Sequence, residues 1–394
     1  LTSKVEQPLF SELEFQELVA FRHELHRNPE VSGHEYETAQ RVVSFLAPLK
    51  PDRIVTALGR TGVAVVFEGR EAGPTVLFRC ELDALPIVET GGVAYASVSP
   101  GKGHMCGHDG HMATMAAFAR VLSRNRPAKG RAVLLFQPAE ETGAGALAVL
   151  EDPAFEEIRP DLSFSLHNMP GYELGYCVLK TGPVNCASRG LRLRLTGRTA
   201  HASTPETGKS PMAAMVRLMP ELLAFSEGLP ESGQEIGASF AMITVTHASL
   251  GEPTFGVAPG SAEIWATLRT LTDNRMDVLQ ADVETLVHEL AHEEGLDVAI
   301  DYHDVFQHCE NSPEAVEHLT TAMADEGVAF GSGDLPMRGS EDFGRFRSVG
   351  PSAMFFLGAG YDAQALHSPD YDFPDELIPI GAGIFARVAR NILG

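Results

Sequence analysis

The chain lacks any run of about eighteen consecutive apolar residues, the length a helix needs to cross a bilayer, and residues 1–10 lack the basic-then-apolar order of a secretory leader. Both absences point to the cytoplasm. Cysteine is sparse. Five thiols, at positions 80, 106, 177, 186 and 309, are an odd number without paired spacing, which argues against a disulfide framework and fits a reducing compartment. Positive charge is also short: 30 Lys and Arg face 53 Asp and Glu, a formal net charge of −23. With no local basic cluster to offset it, neither nucleic-acid phosphates nor an anionic membrane is an expected partner. Internal repeats and low-complexity segments are missing too. What remains, 394 residues with 44% hydrophobic content, is enough for two ordinary globular domains.

Potential metal ligands are concentrated in one stretch, Gly103-His104-Met105-Cys106-Gly107-His108-Asp109-Gly110-His111. Three histidines, a thiol and a carboxylate within nine residues suit a zinc-like divalent ion. The apolar run 112–122 that follows reads as a helix, which places Cys106 and His108 in the loop feeding it. A turn with a helix-capping histidine is the alternative without chemistry.

The rest of the chain supplies a frame for that loop. Ser11 and Glu14 form a capping box for a helix that Asn28-Pro29 ends, and a second helix spans about 35–49. His23 and His26, without cysteine or carboxylate company, read as surface or supporting residues. Buried strands follow at 62–67, at 74–80 leading into Glu81-Leu82-Asp83, and at 131–136 ending in Gln137-Pro138-Ala139-Glu140-Glu141. A further strand, 161–166, delivers His167. Strands alternating with helices predict a mainly parallel sheet, whose ligands gather outside the carboxyl ends of its strands. Asp83, Cys106, His108, Glu140, Glu141 and His167 are therefore expected to converge.

From about residue 181 the texture changes. Alternating Leu and Arg over 191–198 give a strand with one wet face, and the order β-α-β-β-α-β over 183–305 is that of an inserted ferredoxin-like module. Residues 1–182 and 306–394 then form one discontinuous catalytic domain. Its last part carries Ser340-Glu341-Asp342-Phe343, a strand at 353–357, His367 just beyond it, and a helix at 377–393.

Two divalent ions sharing a bridging thiolate or carboxylate need about five protein ligands. Glu140 and Glu141 are the informative pair. Adjacent residues beyond a strand end point in different directions, so one can bind metal while the other takes a proton from water and hands it to a leaving amine. Two solvated glutamates opening a helix are the alternative.

Taken together, Cys106-Gly-His108-Asp-Gly-His111, Gln137-Pro-Ala-Glu140-Glu141, Ser340-Glu-Asp-Phe343 and Leu366-His367 resemble the signature of the M20 metallopeptidase family, in its amidohydrolase branch. That branch holds hippurate hydrolases, N-acyl-amino-acid aminoacylases and plant auxin-conjugate hydrolases. The resemblance runs in order along almost the whole chain. It implies an α/β fold with a mainly parallel-sheet, phosphorylase/hydrolase-like catalytic domain. It implies two divalent ions (Zn, Mn, Co or Ni) on Cys106, His108, Glu141, His167 and His367, with Glu140 as general base and acid and Asp83 orienting a ligand histidine.

It further implies that the inserted module is a lid or dimerisation domain. The loop Gly197-Arg-Thr-Ala-His201-Ala-Ser-Thr-Pro205 would bring His201 to the oxyanion, often across a homodimer. Arg269, at the end of a strand over 262–271, is the candidate for gripping a substrate carboxylate, because a guanidinium binds one bidentately. The expected substrate is an N-acyl amino acid or short peptide. Dipeptidase or carboxypeptidase activity, hydrolysis of an unusual aromatic amide, and a non-catalytic metal-binding homologue are the alternatives. Two departures stand out: Gly256 where relatives commonly carry asparagine before Val-Ile-Pro, and Glu81 where many have aspartate.

Overall fold

The computed structural model describes residues 9–231 and 234–394. The absence of a leader-like pattern at residues 1–10 thus concerns a stretch that lies, for 1–8, outside the described residues. Two compact units emerge. One comprises Leu1–Gly182, Glu310–Gly333 and Asp342–Gly394; the other comprises Pro183–Cys309 together with Asp334–Glu341.

In the first unit, helix α1 (Glu12–Arg27) starts at the capping box, Glu14 N–H donating to the Ser11 hydroxyl and Ser11 N–H to the Glu14 carboxylate. Helix α2 (Tyr36–Leu46) and strands β1 (Arg53–Leu58), β2 (Gly62–Glu68) and β3 (Glu71–Glu81) follow, then α3 (His108–Arg124), β4 (Lys129–Gln137) and β5 (Leu162–Met169). The sheet runs in the order β1, β2, β4, β3, β5, then Ser352–Gly358, Cys177–Val178 and Phe330–Gly331. β4, β3, β5 and Ser352–Gly358 are mutually parallel, while β1 and β2 add an antiparallel edge. The central strands are apolar runs buried along their length, as at 63–67 and 132–136. That is the pattern of a sheet covered on both faces. Helices α3 and Leu377–Leu393 contribute long buried faces to the same core.

Three local expectations are corrected. β1 was not anticipated, because its side chains are mostly half-exposed and give little apolar signal. His167 lies within β5 and not just beyond it, since the strand stays paired with Ser352–Gly358 as far as Met169. His108 is the first residue of α3, not part of the preceding loop: Gly107, at φ 88°, makes the turn that starts the helix. A Cβ on Gly107 would lie 2.6 Å from Asn168 Oδ1, so the position demands glycine for space as well as for backbone.

The second unit has the order Ala187–Thr196, Met212–Ala224, Ala241–Leu250, Ser261–Thr270, Asp273–Glu294, Asp297–Phe306. Its four strands form an antiparallel sheet with Ala187–Thr196 and Ser261–Thr270 in the middle, a ferredoxin-like β-α-β-β-α-β arrangement. Leu191, Leu193 and Leu195 enter a core with Ile264, Leu268 and Val283. Arg192 and Arg194 alternate onto the wet face, where they pair with Glu263 and Asp301. No helix among the described residues is long and apolar enough to cross a membrane.

Candidate metal centre and active site

Strand ends and one helix start carry the site. Asp83 follows β3, Cys106 and His108 flank the Gly107 turn, Glu140 and Glu141 follow β4, and His167 stands near the end of β5. His367, at φ 65°, is held by its backbone N–H donating to Met105 O at 2.7 Å.

The two buried histidines have the same orientation logic. His108 Nδ1 lies 2.9 Å from Asp83 O and 3.5 Å from Asp83 Oδ1; His167 Nδ1 lies 2.8 Å from Asn168 O. A carbonyl accepts only, so each Nδ1 carries the proton and each Nε2 offers a lone pair. His167 Nε2 is 3.5 Å from Cys106 Sγ. His108 Nε2 is 3.9 Å from Glu141 Oε1, and His367 Nε2 is 3.5 Å from that same oxygen.

Possible ligand atoms fall within 4.8 Å of one another in the groups Cys106, His108, His167; Cys106, Glu141, His367; and His108, Glu140, Glu141. Cys106 is common to the first two. His108 Nε2 and Glu141 Oε1 are buried without a hydrogen-bond partner among the described residues, a costly state unless a cation compensates it. Nitrogen, thiol and carboxylate donors grouped around a shared sulfur fit two divalent ions.

The electrostatics differ from residue to residue. Burial, with the charges of Glu141 and Glu140, pushes the Cys106 thiol well above its ordinary value, so a cation is what would make it a thiolate ligand. Burial also lowers His167 to about 3 and keeps the ring neutral. At His108 burial alone would lower the imidazole, but the Asp83 hydrogen bond and the charges of Glu81, Asp83 and Glu141 raise it to about 10. A cation bound to Nε2 would have to displace the proton that these carboxylates favour, so binding there would release it.

Supporting residues that sequence reasoning missed lie one layer back. Asp83 Oδ2 accepts from Ser32 Oγ at 2.7 Å and from Glu141 N–H at 3.0 Å, so it couples His108 to the acidic turn. His111 Nδ1 is 2.6 Å from Glu81 Oε2 and its Nε2 2.5 Å from Asn168 Oδ1, and Asn168 donates in turn to Tyr371 Oη. Glu81 is also paired with Arg79. Burial would raise the Glu81 carboxyl, yet Arg79 and His111 hold it well below the usual range. The longer side chain at Glu81 therefore serves a buried ion network. Arg79 also pairs with Asp342, whose carboxylate accepts from Gln137 Nε2 at 2.8 and 2.9 Å and from Ala146 N–H at 2.8 Å. Asp83, His111, Gln137 and Asp342 stood in or beside recognisable motifs and Glu81 was noted as a departure; Ser32, Arg79, Asn168 and Tyr371 were missed, because their main partners lie far away in sequence.

Two candidates belong to the second unit. His201 is exposed on a two-residue strand, Ala200–His201, paired with Val257–Ala258. Its Nδ1 accepts from Ser203 N–H at 3.1 Å and lies 2.7 Å from Ser203 Oγ, which leaves Nε2 as the proton-bearing nitrogen. Gly256 accepts from Ala202 N–H through its carbonyl at 3.1 Å, beside the ribbon that carries His201. Arg269 Nη1 donates to Arg338 O at 2.9 Å and to Ser340 Oγ at 3.0 Å, and burial lowers its pKa. No carboxylate among the described residues pairs with it.

A mainly parallel α/β sheet with metal-type donors gathered at its strand ends defines a candidate metal-binding α/β protein. Comparison with known proteins narrows the class: the chain belongs to peptidase family M20/M25/M40, whose model matches residues 77–391. It is similar to an N-acetyl-L-cysteine deacetylase of Bacillus subtilis, 31% identical, the match covering 96% of this chain and 88% of the relative. A hippurate hydrolase of Campylobacter jejuni is 29% identical over 96% of this chain and 97% of its own. Among solved structures, the Bacillus subtilis YXEP protein, a dinuclear metal-binding peptidase of the M20 family, superposes with a TM-score of 0.80. Its identity is 25%, over 97% of this chain and 99% of that one.

Proposed function

We propose that the protein is a cytoplasmic, dinuclear amidohydrolase that cleaves the amide of an N-acyl amino acid. The observation that carries the reading is Cys106 shared between two ligand groups, with buried Glu140 beside Glu141 and His108. The names of the relatives, a deacetylase and a hippurate hydrolase, support the substrate class. Cys106, His108, Glu141, His167 and His367 would hold two ions of zinc, manganese, cobalt or nickel. Bound there, these would polarise the scissile carbonyl and make water a better nucleophile.

Each remaining step belongs to the chain. Glu140 takes the proton of the attacking water and returns it to the departing amine nitrogen. Asp83 keeps His108 in its Nδ1–H tautomer. His201 presents Nε2–H to the oxyanion, from its own chain or from a partner in a homodimer built on the second unit, a contribution of roughly 3 kcal/mol to the barrier. Arg269, a half-buried guanidinium without a carboxylate partner among the described residues, binds the substrate's carboxylate bidentately.

The test is a panel of N-acetyl, N-benzoyl and indole-acetyl amino acids beside simple dipeptides, on enzyme reconstituted separately with each metal. Metal-dependent release of an amino acid is expected. Glu140→Ala is expected to lower kcat by about a thousandfold while two metal ions per chain stay bound. Undiminished turnover in that variant overturns the assignment of Glu140.

A further inference from the structure

The turn that delivers Glu140 is strained, and a buried carboxylate binds it at Ala139 N–H, while Gly145 N–H donates to Ala139 O at 3.0 Å. Ala139 has φ 48°, in the left-handed region that an alanine side chain disfavours. Its N–H donates to Glu35 Oε1 at 2.8 Å. The same oxygen accepts from Gly33 N–H at 2.8 Å, and Glu35 Oε2 accepts from Thr61 Oγ1 at 2.7 Å. Glu35 is fully buried and contacts no possible metal ligand through these bonds.

The loop that carries Glu35 is itself anchored to the end of β3. Ala84 N–H donates to Glu30 O at 2.8 Å, and Val31 forms a parallel bridge with Ala84. From this loop Ser32 also reaches Asp83, which accepts from Glu141 N–H. The acidic pair is thus gripped on both sides: at Ala139 by Glu35 directly, and at Glu141 by Ser32 through Asp83. Breaking the first grip would let Ala139 relax toward an ordinary backbone conformation and swing Glu140.

We infer that Glu35 is a positioning residue for the hydrolysis, holding the left-handed Ala139 turn so that the Glu140 carboxylate meets the attacking water. The inference rests on the reading of Glu140 as the base. Glu35 neither transfers a proton nor binds metal, so an isosteric amide should serve: a glutamine can accept from the Ala139 and Gly33 N–H groups through its oxygen and donate to Thr61 through its nitrogen.

The experiment compares Glu35→Ala, Glu35→Gln and Glu35→Ala/Ala139→Gly with wild type and Glu140→Ala, as full-length enzyme with its metal content measured. For Glu35→Ala we expect kcat to fall roughly a hundredfold, the penalty of misplacing a catalytic group by about an ångström, with KM within about threefold and metal content unchanged. Glu35→Gln should keep kcat within about threefold of wild type. Glycine at 139, which takes a positive φ without penalty, should recover about tenfold in the double variant. Independently of turnover, hydrogen exchange at the Ala139 amide should be slow in wild type and in Glu35→Gln, and fast in Glu35→Ala.

A kcat for Glu35→Ala close to wild type, equal losses in the alanine and glutamine variants, loss of metal, or unchanged protection of the Ala139 amide would each overturn the inference. If Glu140→Ala stays active, the reading of the base falls instead, and amide exchange still decides whether Glu35 holds the turn.

Discussion

His26 is fully buried, which burial alone would answer by keeping its ring neutral. Its Nδ1 lies 2.9 Å from Asp109 Oδ2 and its Nε2 3.2 Å from Glu89 Oε1, while Arg22 Nη1 donates to the same Asp109 oxygen at 3.0 Å. Burial lowers the imidazole, but the charge and hydrogen bond of Asp109 outweigh it, and the result is a rise from 6.5 to about 9. A folded-state value above the unfolded one stabilises the fold fully below pH 6.5, and that stability is lost as pH rises through 9. The stake is on the order of 3 kcal/mol. Denaturant midpoints of the holoenzyme at pH 6 and 9.5 should therefore fall more for wild type than for His26→Gln. An equal fall in both would mean that other groups carry the alkaline loss. The sequence reading left His26 as a surface or supporting residue because Asp109, its partner, is 83 positions away. Half-exposed His23, by contrast, stacks on Tyr95.

At the scale of elements, α3 has to bring His108 to Cys106, Glu141 and His167 while lying against the rest of the core. Gly110 makes this possible: a Cβ there would lie 2.2 Å from Phe373 Cγ. Gly110→Ala should improve helix propensity, yet the overlap with a buried ring outweighs that gain, since overpacking typically costs about 1–3 kcal/mol. Thermal melting should show a lower Tm and, because His108 heads this helix, weaker metal retention on dialysis. An unchanged Tm would show that Phe373 moves aside freely.

The helix Leu377–Leu393 was legible to the residue, because Ile378, Ile384 and Val388 recur at helical spacing and are buried. The start of α3 was not, because a left-handed glycine and not an apolar period sets it. That Cys106, His108, Glu140 and Glu141 would cluster was legible because parallel strands deliver their ends to one place. Glu35 escaped notice because its acceptor role is spent on a backbone N–H 104 residues away, and such a bond has no composition signature.

For the whole molecule, the two units hold separate apolar cores, one around the large sheet and one centred on Leu193, Ile264 and Val283. Only the first contains Cys106, His108, Glu141, His167 and His367, so a metal that binds there stabilises that unit by mass action and leaves the other untouched to first order. The single tryptophan of the chain, Trp265, lies in the second unit, with Arg192 over its ring and His247 beside it. Tryptophan fluorescence therefore follows the second unit alone, whereas calorimetry follows both. Chelation of the holoenzyme should move a calorimetric transition down by several degrees while the fluorescence midpoint stays in place. If the two midpoints fall together, the units unfold as one cooperative body, and the stability that metal gives to the first is transmitted in full to the second.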